Sequence, residues 1–164
     1  YSALVPSGFP VDMYITGTRT NNPAGYNWDF FDRLRAGYYL KSSGTNAEAT
    51  LGSTGGFDYN TGVAPGMFSN SPLTLMFQRA PGFFDEVCYT GDGTLTRSIT
   101  HNLTVAPELL IVKRRATGLD SWYVYAPSGN RRLLLSTDLA SPCYNAPFSG
   151  TTPTATTFSY TSDD

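Results

Sequence analysis

A single histidine, His101, stands in a chain of 164 residues and bounds the hydrolytic chemistry open to it. A Ser-His-Asp relay would have to use that imidazole as its base. No Gly-x-Ser-x-Gly elbow is present to supply the serine. His101 falls between a strand-like run and Pro107, which marks it as a structural residue that holds a loop by bonding backbone. One histidine and two distant cysteines, Cys88 and Cys143, do not make a zinc set, and no metal or other cofactor is expected. The cysteines read as two buried thiols, because two residues do not form a disulfide framework.

Glycoside cleavage needs two carboxyl groups about 5–10 Å apart, one of them with a raised pKa. The pairs Asp85 with Glu86 and Asp29 with Asp32 offer the residue types. Neighbouring acids on strands point to opposite faces, however, so neither pair converges. Gly91-Asp92-Gly93-Thr94 lacks the alternating acids of a calcium loop and reads as a tight turn. The expectation is no catalytic site.

Eleven Tyr, ten Phe and two Trp are what remains for recognition. Tyr and Trp rings offer large rigid faces on which sugars stack at small entropic cost. Tyr26, Tyr38, Tyr39, Tyr123 and Tyr144 are the candidate glycan contacts. Trp28 and Trp122 are assigned instead to the structure, as core residues.

Charged residues are 15% of the chain and the net charge is −2. Phosphate binding needs a clustered basic face, so no nucleic-acid partner is expected. No apolar run nears the ~20 residues of a membrane-spanning helix, and no membrane insertion is expected. Sixteen Gly and eleven Pro punctuate the sequence. Aromatics with many turn formers and few charges describe short strands joined by turns.

Apolar or alternating runs of strand length occur at 11–16, 38–41, 73–77, 83–90, 109–113, 121–125 and 133–136. Turn signals between them include Asn22-Pro23, Gly55-Gly56, Asn60-Thr61-Gly62 and Gly91-Asp92-Gly93. This spacing predicts an all-β protein, an antiparallel β-sandwich of jelly-roll type. One stretch reads otherwise when taken alone: Trp28, Phe31 and Leu34 are spaced as on a helix.

An internal duplication answers that ambiguity. Pro10-Val-Asp-Met-Tyr-Ile15 lies over Pro107-Glu-Leu-Leu-Ile-Val112, an offset of 97 (107 less 10). Trp28-Asp-Phe-Phe31 lies over Trp122-Tyr-Val-Tyr125, and Leu40-Lys-Ser42 over Leu134-Leu-Ser136, both at 94 (122 less 28). Phe57-Asp-Tyr59 lies over Phe158-Ser-Tyr160. Opposite Arg33–Arg35 the second copy has Pro127-Ser128-Gly129, which no helix interior tolerates. Residues 28–41 are therefore expected to form a hairpin. The duplication divides the chain into 1–79, a unit without its N-terminal strand, and 80–164, a unit without its closing C-terminal strand. That frame implies a piece of a longer array with an unpaired edge for a neighbouring chain to cover.

The run Phe77-Gln-Arg-Ala-Pro-Gly-Phe-Phe-Asp-Glu-Val-Cys-Tyr-Thr-Gly-Asp-Gly-Thr94 resembles a junction in an uncharacterised repeat domain of tailed-bacteriophage structural proteins. Ile99-Thr-His-Asn-Leu103, Ala106-Pro-Glu-Leu-Leu-Ile-Val-Lys-Arg114 and Trp122-Tyr-Val-Tyr125 fit the same domain. Gly8-Phe-Pro-Val-Asp12, Trp28, Asp32-Arg-Leu-Arg35 and Ala47-Glu48 resemble a sister version of it. The resemblance implies a β-sandwich in a tail or tail-fibre protein of the virion. It also implies other virion proteins as partners and a homo-oligomer, with a trimer favoured. An adhesin binding a host-surface glycan at the tail tip, or a capsid decoration protein, is the alternative.

Overall fold

The structure is a computed structural model, and it describes residues 4–17, 28–52, 56–64, 73–116, 121–125, 133–134, 148 and 152–161. Among these residues there is no helix, and every strand pairing is antiparallel. The chain divides into two units, Tyr1–Gln78 with Arg115–Asp120, and Arg79–Arg114 with Ser121–Asp164.

In the first unit, β1 (Val5–Pro6) pairs with β6 (Gly62–Val63). A five-stranded sheet, ordered β5-β4-β3-β2-β7, holds β2 (Met13–Gly17), β3 (Trp28–Asp32), β4 (Tyr38–Lys41), β5 (Ala49–Thr50) and β7 (Leu73–Phe77). Strand alternation sends Tyr14, Phe31, Tyr39 and Met76 to one face, where they meet Val11, Phe57 and Val63. The rings of Tyr14 and Phe31 stack at 4.6 Å, and Phe31 and Tyr39 at 5.4 Å. A sheet and a strand pair closed over an aromatic core make the sandwich plan. The hairpin expected over 28–41 is present as β3 and β4, with Asp29 opposite Lys41 and Phe31 opposite Tyr39.

In the second unit, β8 (Thr96–Thr100) pairs with β12 (Thr157–Thr161) over five residues. A meander joins β9 (Leu110–Val112), β10 (Tyr123–Tyr125) and β11 (Leu133–Leu134). Ile99, Phe148 and Phe158 form the core, with Leu110, Val112, Tyr123, Tyr125 and Tyr160 against it.

The two meanders share a register. Tyr14 stands opposite Phe31 and Ile15 opposite Phe30, as Leu110 stands opposite Tyr125 and Ile111 opposite Val124. This shifts two strands by one residue each against the sequence alignment. With the tryptophans kept 94 apart, β2 maps onto β9 at 96 (110 less 14), one residue short of the sequence offset. β4 likewise maps onto β11 at 93 (133 less 40). A one-residue slip turns a whole strand over, so the ladder fixes which residues face each other within each meander.

Residues 83–90 depart from expectation. A turn at Pro81-Gly82 closes an isolated bridge between Ala80 and Phe84, and 85–90 belong to no strand. Val87 and Tyr89 still pack on the core, so their alternation reported burial and not pairing. Five short or Thr-rich strands carry too little apolar periodicity to be read: β1, β5, β6, β8 and β12.

Candidate functional site

His101 lies at the end of β8, and the backbone takes up both ring nitrogens. Leu103 N–H donates to Nδ1 at 3.2 Å, so Nδ1 is the acceptor and Nε2 carries the proton. Nε2 then donates to the Thr154 carbonyl at 3.2 Å, beside the bond from His101 N–H to the Thr156 carbonyl. The side chain is buried and ties the β8 end to the loop before β12. An imidazole engaged in this way has no nitrogen left to take a proton from a nucleophile.

The carboxylates proposed as pairs serve separate ends. Asp85 accepts Asn102 N–H at 2.7 Å and so holds the residue that follows His101. Asp29 and Asp32 sit on opposite faces of β3. Asp32 is buried and clamps Arg35, accepting its backbone N–H at 2.8 Å and bonding its guanidinium. Glu48 holds the other side of that guanidinium at 3.2 Å, and Arg115 adds a longer contact to Glu48 at 3.9 Å. Burial alone would lower the Arg35 pKa, but the hydrogen bonds and charges of Asp32 and Glu48 outweigh it and raise it. The Asp32-Arg-Leu-Arg35 motif is thus the lock of the β3–β4 turn.

Asp29 is the polar group that sequence reasoning missed as a feature of the core. It is 7% exposed, on the aromatic side of the sheet, and its Oδ1 has no hydrogen-bond partner. Its row runs Thr74, Thr16, Asp29, Lys41 across four strands. Burial raises its pKa, and the Lys41 charge opposes that. The Tyr14 hydroxyl is pushed up as well, by burial first and by the Asp29 charge second. At the corresponding row of the second unit stand Val112, Tyr123 and Leu134. The signal in the sequence was an acid between aromatics in Trp28-Asp-Phe-Phe31.

The candidate glycan contacts do not form one patch. Tyr38 and Tyr39 are successive residues of β4 and point to opposite faces. Tyr38 is 45% exposed, while Tyr39 is engaged with Phe31. Tyr123 is half-buried, with its ring edge-on to Tyr160 at 6.5 Å. Tyr26 and Tyr144 lie outside the described residues. Trp122 is buried and Trp28 is half-buried, on the sheet face away from Tyr14 and Phe31, with its ring against Gly17. Cys88 is exposed, against the expectation of a buried thiol, and Cys143 lies outside the described residues.

Asp92 and Thr94 form a side-chain-closed turn. Thr94 donates to Asp92 Oδ1 from its backbone N–H at 3.1 Å and its hydroxyl at 2.6 Å, and Gly93 takes a positive φ of 74°. Those bonds lower the Asp92 pKa, with the Thr94 side chain the largest cause. Among the described residues no group of three or more His, Cys, Asp or Glu could hold a metal ion.

These features define an antiparallel β protein of two units, each held by ladders and aromatic packing. The chain belongs to the family described as "Domain of unknown function (DUF7483)", whose model matches residues 76–164, more than half of its length. No curated protein and no solved structure matches it.

Proposed function

We propose that the chain is a non-catalytic structural component of a bacteriophage virion, part of the tail or tail fibre. The observation that carries this reading is the run from Phe77 to Thr94, with the motifs that follow it, and its resemblance to the phage repeat domain. The shared register of the two meanders supports it, since serial β units of one plan suit an extended appendage. Antibody labelling of intact source particles under the electron microscope tests it. Label on the tail or its fibres is the expected result. Label on the head would move the chain to capsid decoration, and particles without label would overturn the virion reading.

An adhesin is the second reading, favoured by the exposure of Tyr38, Leu73 and Leu75 on the same face of the first sheet. Large exposed apolar areas on one face commonly mark contact surfaces. Tyr38→Ala would then reduce host-cell adsorption while the fold is kept.

A further inference from the structure

We propose that the outer edge of β9 is a docking edge at which a second copy of this chain pairs antiparallel, with Ile111 of one copy opposite Ile111 of the other. The inference does not rest on the virion reading.

The first unit supplies the template. There β2 is filled on both sides, by β3 and by β7, the latter over five register pairs from Met13 opposite Phe77 to Gly17 opposite Leu73. By register β9 is the counterpart of β2, yet among the described residues it pairs only with β10. A bare edge presents a row of backbone donors and acceptors, and proteins blunt such edges with Lys, Pro or a bulge. Leu110-Ile-Val112 has none of these. Leu110 and Val112 face the core, while Ile111 is 44% exposed and Leu109 60% exposed.

The flanking charges choose the occupant. Glu108 precedes the strand, and Lys113 and Arg114 follow it. Antiparallel self-pairing centred on residue 111 sets Leu110 opposite Val112 and Leu109 opposite Lys113, whose aliphatic stem can cover it. It also sets Glu108 opposite Arg114, and two-fold symmetry repeats that pair. A parallel arrangement would set Glu108 against Glu108 and Arg114 against Arg114. Opposite charges across paired strands favour one register, and like charges reject the other.

Sedimentation equilibrium of the purified chain is the test. The expected result is a reversible dimer of twice 17.8 kDa. Ile111→Lys should leave a monomer with unchanged circular dichroism. Glu108→Arg and Arg114→Glu should each weaken the dimer by about tenfold or more, because each creates two like-charge contacts. An equal mixture of those two variants should restore it, since both cross-strand pairs then join an arginine to a glutamate again. That rescue is beyond the reach of a fold defect. A wild-type chain that stays monomeric at millimolar concentration overturns the proposal, as does a dimer indifferent to these changes. A monomer that instead takes up an added Leu73–Phe77 peptide, with amide shifts confined to 109–113, also overturns self-pairing and gives the edge to a separate strand.

Discussion

Asp29 and Asp32, three residues apart on β3, show how placement decides the role of a carboxylate. Asp32 is stabilised by Arg35, so removing one partner leaves a buried charge. Arg35→Met is expected to cost about 3 kcal/mol in urea unfolding. Asp29 has no such partner at Oδ1. Its raised pKa means that the folded chain holds the proton to higher pH than the unfolded chain does. Stability from this residue is therefore full below the ordinary carboxylate range and is lost as pH rises through the folded-state pKa. Asn at position 29 should stabilise the neutral-pH fold by about 1 kcal/mol and flatten that loss. Urea midpoints compared in mildly acidic and neutral buffer check both points, and a destabilised Asp29→Asn protein at neutral pH would refute them. His101→Ala should cost about 2 kcal/mol, because it strips partners from two backbone groups.

Pairing geometry limits substitution at the scale of the element. A Cβ on Gly62 would collide with the Val5 carbonyl oxygen, inside the β1–β6 pair. Gly62→Ala is thus expected to part these strands, at a cost of about 2–3 kcal/mol. Gly82 takes a positive φ of 75° with open space around its missing side chain, so Gly82→Ala should cost only about 1 kcal/mol. Thermal midpoints of the two variants would separate steric from conformational cost, and equal losses would contradict this account. The β3–β4 hairpin was legible because the sequence aligned opposite Arg33–Arg35 is Pro-Ser-Gly, a composition that a helix interior excludes. The strand pair β8–β12 was not, since Thr96-Arg-Ser-Ile-Thr100 and Thr157-Phe-Ser-Tyr-Thr161 each bury a single apolar residue, Ile99 and Phe158.

Across the whole molecule, the cores centred on Tyr14, Phe31 and Phe57 and on Ile99, Phe148 and Phe158 share no residue. Phe57→Ala and Phe158→Ala should each destabilise by about 3–4 kcal/mol, and each should lower the unfolding of its own unit. Calorimetry resolves this, since a single transition lowered equally by both changes would mean one cooperative body. By contacts the chain divides between Gln78 and Arg79, and Arg115–Asp120 return to the first unit. The assignment of residues 115–120 to the first unit had no signal in the sequence. It is made by contacts such as the bond from Glu48 N–H to the Arg115 carbonyl, at 3.1 Å, which depend on the fold.

The sequence by itself determined the all-β class, the hairpin over 28–41 and most of the longer strands, because alternation and turn chemistry act over a few neighbouring residues. Only tertiary structure decided which strand pairs with which. The edge of β9, the lock of Arg35 between Asp32 and Glu48, and the burial of Asp29 all depend on partners far along the chain or across a ladder. The tyrosines illustrate the same division. Composition nominated Tyr38 and Tyr39 together, and the pleat of β4 set one in solvent and the other in the aromatic stack.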